Sequence, residues 1–255
     1  MRVAILLTIL GLVLLYAWRD VRMRAARNEW DHTLYVAIVL VRVEPIDDAA
    51  IAAMRERVPA LEDRLASELA RYRSASPRPF RFNLAGPVDA GAPPPAPPGE
   101  GAVDLAKHTY ALSQWLNGVD ERAGVVANRF DARVYVTIRR PRQAERTLVE
   151  GRSEQGGRIA VVDVELDAEV PDLPLIVAAH ELMHTLGATD KYDAQGRTLS
   201  PRGLAEPDRS PPFPQRFTEI MARNRPVSPS EEKVPDGIHE IAVGPVTARE
   251  IGWTR

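Results

Sequence analysis

The chain has 255 residues, of which 45% are hydrophobic and 27% charged, and its formal net charge is −2. This length and composition are those of a globular protein with one substantial domain. Because the charge is nearly balanced, nothing indicates a nucleic-acid partner. The sequence contains no cysteine, so disulfides and thiolate metal sites are excluded, and any bound metal must be held by nitrogen and oxygen atoms.

Residues 1–27 predict a membrane anchor followed by a basic flank. Val3–Trp18 is a run of sixteen residues without a charge. A membrane-spanning helix needs about 20 apolar residues, with a lower limit near 17, and Tyr16 and Trp18 would lie at the interface. A cleaved signal peptide is one alternative, but no small-residue cleavage site follows the apolar run. A buried helix of a soluble domain is the other alternative.

The side of the membrane on which the rest of the chain lies stays open. Arg19, Arg22, Arg24 and Arg27 follow the apolar run and only Arg2 precedes it, which by the positive-inside rule favours the cytoplasm. The function inferred below favours an extracytoplasmic domain, and we expect a single-pass protein of that kind. The sequence does not indicate an oligomeric state.

The first elements after residue 27 are a strand, a helix and a second strand. Thr33–Val43 is apolar on both faces and predicts a buried strand. Asp47–Arg73 carries apolar residues at helical spacing, with Asp47 or Asp48 as the N-cap. Residues 79–84 predict a short strand.

The composition then changes. Residues 85–101 include six prolines and four glycines, which predicts a solvated loop within the domain. Ala102–Gly124 predicts a second helix, and Asp131–Arg140 and Gly157–Asp167 predict strands joined by a turn at 150–157. Together these elements predict an α+β fold in a single domain over residues 28–255.

A third helix is predicted to begin near Asp172, a suitable N-cap, with Pro174 tolerated in its first turn. Because this helix is apolar on nearly every face, we expect it to lie in the core. Its late polar residues are His180, Glu181, His184 and Thr185.

The spacing of these polar residues predicts a zinc site. Residues four apart lie on one face of a helix, so His180 and His184 can hold one zinc ion. Glu181 would stand beside the metal as general base for zinc-activated water. Gly187 allows the chain to turn back beneath the metal, which places Asp190 within reach as the third ligand. Three protein ligands and one open position are typical of a catalytic zinc site.

Other residues could complete the ligand set. Asp193 could join or replace Asp190. Glu206 and Glu219 are alternatives if a later glutamate is the third ligand, although the sequence around Glu206 is too rich in proline for a helix. His239 is a further alternative in a segment that reads as a loop.

The stretch HELMHTLGATD, His180–Asp190, resembles the metzincin zinc-peptidase motif His-Glu-x-x-His-x-x-Gly-x-x-His/Asp, and its final aspartate is similar to that of snapalysin-like members. The resemblance implies a metzincin-like zincin, with a twisted mixed sheet packed on a central zinc-binding helix. It also implies an irregular lower half with Met221 in a Met-turn, and a C-terminal helix within 244–253. Residues 157–167 would be the edge strand along which an extended peptide pairs.

We therefore predict a membrane-tethered, zinc-dependent endopeptidase that hydrolyses a peptide or protein substrate, with Zn²⁺ as cofactor. The alternative is a catalytically inactive, zinc-binding, membrane-anchored scaffold or interaction domain. Glu181 favours the enzyme, because a pure binding domain does not need a carboxylate beside an open metal position. A cytoplasmic, anchored peptidase is a third hypothesis.

Overall fold

A five-stranded sheet forms the centre of the protein. The computed structural model describes residues 25–73, 78–99, 101–140, 151–153 and 156–254, together with single positions between 7 and 22. In chain order the strands of the sheet are β1 (Leu34–Arg42), β2 (Phe80–Asp89), β3 (Ala132–Arg139), β4 (Gly151–Ser153) and β5 (Ile159–Glu165).

Across the sheet the strand order is β2-β1-β3-β5-β4. Neighbours are parallel except for β4, which pairs antiparallel with β5. Central strands of a parallel sheet are buried on both faces, which explains why β1 is a nearly continuous apolar run and why β3 is buried along most of its length. The chain is therefore a mixed α/β protein with a parallel central sheet, and this confirms the prediction in its coarse form.

In the part of the chain from residue 28 onward that the structure describes, four helices complete the framework: α1 (Asp48–Ala70), α2 (Ala102–Ala123), α3 (Asp172–Thr185) and α4 (Pro245–Glu250). The larger part of the core lies between one face of the sheet and the apolar residues of α1 and α3. A smaller core lies on the opposite face, where Leu116 and Val119 of α2 pack beside Tyr135. Both faces of the sheet are thus covered by helices.

Two of the predicted helix boundaries have clear local causes. Asp47 caps α1, since its side chain accepts a hydrogen bond from the amide of Ala49 at 2.9 Å. Gly124 ends α2 in the left-handed conformation, with φ of 66°. These caps confirm the predicted start of the first helix and end of the second.

Strand β2 continues into the segment predicted as a loop. Residues 85–89 belong to the strand, so the loop is shorter than predicted. Pro87 is tolerated because β2 is an edge strand, where a missing N–H need not break the ladder. Gly86 has φ of 87°, and a Cβ there would come within 2.6 Å of the Leu40 carbonyl oxygen.

The predicted turn at 150–157 contains β4, and among the strands that the structure describes β4 rather than β5 is the edge on that side of the sheet. The expectation that residues 157–167 form the edge is therefore wrong. A strand of three residues is too short to show an alternating pattern, so sequence periodicity could not reveal it.

Asp172 is the first residue of α3 and does not cap it. Its carboxylate accepts hydrogen bonds from Arg57 Nε at 2.5 Å, from Arg57 Nη2 at 2.9 Å and from the amide of Ile238 at 3.0 Å. Asp172 therefore joins α3 to α1, through Arg57, and to the segment before α4, through Ile238.

The prediction of a membrane anchor is corrected. Within the residues described above, no helix combines the length and the hydropathy needed to cross a membrane. The two longest, α1 and α2, carry charged residues along their length, whereas a span needs about 20 predominantly apolar residues. Most of the apolar run at 3–18 lies outside the described residues. The membrane localisation predicted for residues 1–27 is therefore not supported.

From residue 186 onward the chain is largely irregular, as predicted. Two short ladders organise it, one between β6 (Thr218–Glu219) and β9 (Ile241–Ala242), the other between β7 (Arg225–Pro226) and β8 (Glu232–Lys233). Helix α4 follows, within the segment predicted to be helical.

Residues before β1 lie against the last part of the chain. The indole N–H of Trp30 donates to the Ile251 carbonyl at 2.7 Å, and its ring meets Trp253 edge-on with centroids 5.7 Å apart. The Asn28 amide donates to the Leu186 carbonyl at 2.8 Å, directly after α3. Both ends of the described fold therefore meet at the end of α3.

Candidate metal centre

Helix α3 places His180 and His184 side by side. Their ring centroids are 4.9 Å apart, and each side chain is only 15% exposed. The burial follows from the apolar character of the helix, which lies in the core between the sheet, α1 and the C-terminal segments.

Both histidines are held in one orientation by backbone carbonyls. His180 Nδ1 lies 2.9 Å from the Ile220 oxygen, and His184 Nδ1 lies 2.9 Å from the Ala188 oxygen. A ring nitrogen that bonds to a carbonyl oxygen carries the proton, so in the neutral ring the other nitrogen has a free lone pair. Both Nε2 atoms are therefore available as metal ligands, with the backbone partner that such ligands commonly have.

Asp190 brings a third candidate ligand atom to the two histidine nitrogens. Gly187, with φ of 103°, follows the last turn of α3, and the chain then returns toward the two rings. Asp190 Oδ1 lies 3.3 Å from His180 Nε2 and 3.1 Å from His184 Nε2. In a tetrahedral zinc site with bonds of about 2.0–2.1 Å, neighbouring ligand atoms are about 3.3–3.4 Å apart. The two distances to Asp190 therefore fit one zinc ion.

Glu181 lies beside this set and is almost fully buried. Single ligand atoms of His180, Glu181 and His184 lie within 4.8 Å of one another. Within the described part of the chain, Glu181 Oε2 has no hydrogen-bond partner although it is inaccessible. An unpartnered buried carboxylate oxygen is costly, so this atom is suited to a partner that arrives with the metal or the substrate.

The site favours the ionised aspartate. Burial alone would raise the pKa of Asp190. The hydrogen bonds from both histidines lower it by more, and the net pKa lies well below its usual range. Burial lowers the pKa of His184, whereas its hydrogen bonds to Asp190 and to the Ala188 carbonyl, together with the charge of Glu181, raise it, and the net pKa lies above the ordinary value. A proton and a metal ion would therefore compete for His184 Nε2.

Asp193 is placed elsewhere. Its Oδ1 accepts hydrogen bonds from the amides of Gln195 and Arg197, both at 2.9 Å, and closes a turn. The structure thus brings Asp190 to the histidines and engages Asp193 with its own loop.

The remaining alternatives also lie away from the ligand set. Glu206 forms an ion pair with Arg216, and this pair lowers the pKa of the carboxyl group. His239 is exposed, in a short 3₁₀ turn before β9.

Met221 lies in a tight turn that contacts His180 through the carbonyl oxygen of Ile220. The amide of Ala222 donates to the Glu219 carbonyl at 2.8 Å, and Ile220 supplies the oxygen that holds His180. Met221 is fully buried, and its amide donates to the Glu219 carboxylate at 2.6 Å. Burial raises the pKa of Glu219. Glu219 is thus bonded to the turn itself.

Two neighbours of the site were not predicted. Tyr192 stacks on His180 with ring centroids 6.3 Å apart, and burial together with Asp190 raises its pKa to about 12. Its position two residues after Asp190 is the signal that could have indicated it. Gly151 of β4 touches Glu181, since a Cβ there would lie 2.2 Å from Glu181 Oε1. No sequence signal pointed to Gly151.

An apolar pocket adjoins Glu181 and His180. One wall comes from α3, and the other comes from the turn at Ile220 and the segment around β9. Its lining is mostly aliphatic, with Thr218 and Arg223 as polar members beside the site residues, and the aliphatic residues are Leu173, Ile176, Val177, Ile220, Ala222, Pro235 and Ile241.

No protein-family model matches this sequence, and no curated protein matches it either. Among solved structures, the chain is similar to archaemetzincin from Methanopyrus kandleri, with 17% sequence identity and a TM-score of 0.30. The match covers 68% of this chain and 79% of that one. A likeness at this TM-score carries no weight for the function, which has to be inferred from the geometry of the site.

Proposed function

We propose that this protein is a zinc-dependent endopeptidase of the metzincin type, with His180, His184 and Asp190 as its zinc ligands. The observation that carries the proposal is the convergence of three atoms: the Nε2 atoms of His180 and His184 lie 3.3 and 3.1 Å from Asp190 Oδ1. The buried carboxylate of Glu181 lies beside them. When bound, zinc supplies Lewis-acid activation of a water molecule and of the scissile carbonyl. The turn at Met221 supports this site from below by holding His180.

Glu181 is proposed as the general base and then the general acid. Its buried, unpartnered Oε2 can accept the proton of the attacking water. The same carboxyl group can then deliver that proton to the leaving amine. Because Glu181 is on α3, between the two histidines, the helix fixes its distance from the reacting bond.

The surroundings of Glu181 suit a peptide substrate. β4 is the edge of the sheet, so its outer side can pair with an extended peptide backbone. Gly151 in that strand touches Glu181, so a peptide paired there would pass close to the carboxylate. The apolar pocket beside Glu181 would take an aliphatic or aromatic side chain next to the cleaved bond.

The test combines zinc content with peptide hydrolysis. We expect about one zinc ion per chain after gel filtration, and loss of hydrolysis on chelation. Glu181→Gln should keep its zinc and lose at least about a hundredfold in turnover. A folded protein that cannot be loaded with zinc would contradict the metal site. Full zinc occupancy with no cleavage of any peptide would contradict the peptidase and leave a zinc-binding domain.

A further inference from the structure

Asp190 is the member of the ligand set that a helix does not hold. Its side chain is 44% exposed, and it belongs to the irregular segment after α3. A ligand on such a segment is placed only as well as its neighbours are fixed. The contacts of Thr189 and Lys191 therefore determine where the Asp190 carboxylate points.

Both neighbours of Asp190 are bonded to one carboxylate of α4. The amide of Thr189 donates to Glu250 Oε2 at 3.0 Å, and its hydroxyl donates to Oε1 at 2.9 Å. Lys191 Nζ donates to Glu250 Oε2 at 2.8 Å. We refer to Thr189, Lys191 and Glu250, with these three bonds, as the Glu250 clamp.

Lys191 is the buried part of the clamp. Its side chain is 1% exposed, and Nζ also donates to the carbonyl and the hydroxyl oxygens of Thr189, at 2.5 and 2.8 Å. All three ammonium donors are thus used. A buried ammonium group is tolerated only with such partners, so loss of the Glu250 charge would leave it uncompensated.

The backbone of Lys191 is also fixed. Its amide donates to the Met221 carbonyl at 2.8 Å, and its own carbonyl accepts from Leu199 at 2.7 Å. The same residue therefore joins the turn beneath His180 to α4. Between two neighbours held in this way, Asp190 turns its carboxylate toward the histidines.

We propose that Glu250 and Lys191 are positioning residues for Asp190, so that α4 sets the affinity of the metal site. This inference rests on the proposed zinc site, because it assigns a role in that site to a carboxylate and an ammonium group that do not touch the ion. The clamp acts through the backbone of residues 189–191, by limiting the positions that Asp190 Oδ1 can occupy.

The test measures zinc affinity by competition with a chelator in the full chain. Glu250→Gln keeps the size of the side chain and removes its charge, and we expect about ten- to a hundredfold weaker zinc binding, as for other residues that support metal ligands. Lys191→Met should weaken zinc binding to a similar degree. Glu206→Gln is the matched control, because Glu206 pairs with Arg216 in the same irregular half and does not touch the clamp. It should bind zinc as tightly as the unmodified protein.

A double variant separates positioning from general stabilisation. If the clamp acts through Asp190, Glu250→Gln should have no further effect on zinc affinity once Asp190→Ala is present. A purely structural role would lower the affinity again in that background, and this result would overturn the proposal. If Lys191→Met does not fold, Thr189→Val, which removes one clamp bond, takes its place.

The failure of each proposal has its own signature. Unmodified protein that binds no zinc would contradict the proposed function. If the unmodified protein binds zinc and the Glu250→Gln variant binds it equally well, the proposed role of the clamp is wrong and the proposed function stands.

Discussion

Gly151 and Glu181 are packed so closely that the strand has no room for a side chain. A Cβ at residue 151 would lie 2.2 Å from Glu181 Oε1 and 2.3 Å from its Cδ. The backbone of the sheet edge and the proposed catalytic carboxylate therefore share one contact surface. Any atom added to the strand at this point must displace the carboxylate.

We predict that Gly151→Ala lowers turnover without removing the metal. The added methyl group pushes Glu181 from its position, and a displacement of about 1 Å can cost about a hundredfold in rate. Zinc content should stay unchanged, because the three atoms nearest to an added Cβ all belong to Glu181 and none to a proposed ligand. The control is Gly118→Ala on α2, where a methyl group meets only the end of Arg122. Equal turnover of both variants would show that Gly151 does not constrain Glu181.

A pair of alanine variants tests whether Asp190 or Asp193 is the third zinc ligand. Asp190→Ala removes a proposed ligand and should weaken zinc binding by more than about a hundredfold, beyond the effect of supporting residues. Asp193→Ala removes only the acceptor of the turn amides at Gln195 and Arg197, so its zinc affinity should stay close to that of the unmodified protein. Chelator competition measures both. If Asp193→Ala alone releases zinc, the ligand assignment is wrong.

Tyr192 offers a prediction about the hydroxyl group beside the ligand set. The raised pKa, about 12, keeps the phenol protonated, so it can donate a hydrogen bond to Asp190. Tyr192→Phe should therefore weaken zinc binding about tenfold. Tyr110→Phe is the control, since Tyr110 is exposed on α2. The same zinc affinity for the two variants would mean that the hydroxyl does not support the ligand.

Stability at acid pH should depend on the ion pair between Asp172 and Arg57. Burial raises the pKa of Asp172, but the Arg57 and Ile238 hydrogen bonds lower it more, and the net pKa lies below the ordinary value of 3.8. The ionised group therefore stabilises the fold above its unfolded-state pKa, and this contribution is lost as the pH falls through the folded-state pKa.

Asp172→Asn should lower the free energy of unfolding by about 1 kcal/mol at neutral pH. Its difference from the unmodified protein should shrink in denaturation experiments as the pH falls below about 4. Asp48→Asn, at a side chain that is 93% exposed, should show much less pH dependence. A difference at Asp172 that is constant with pH would contradict the ion pair.

Features that depend on neighbouring residues could be predicted from the sequence. An apolar run indicated β1, and the four-residue spacing of His180 and His184 placed them on one face of a helix. Gly187 indicated the turn that brings Asp190 back to them. In each case the cause lies within about ten residues of its effect.

The rest depends on partners distant in the sequence. Asp172 was predicted to cap its own helix, but its partner Arg57 lies 115 residues earlier. The contact of Gly151 with Glu181 and the bonds of Glu250 to Thr189 join residues from different elements, and no local pattern indicates them. The membrane anchor was predicted from a run of sixteen apolar residues, just below the lower limit of about 17 for a span.

The meeting of Trp30 with Ile251 has a consequence for how the protein folds. Their hydrogen bond joins residues 221 positions apart, and the bond between Asn28 and Leu186 spans 158. Contacts of such separation, added to a parallel sheet, predict a high contact order and slow folding. By the proposed clamp, the two histidines can meet zinc in an early helix, whereas Asp190 reaches its place only when α4 has docked. Tight zinc binding should therefore appear in the last phase of refolding and report its completion.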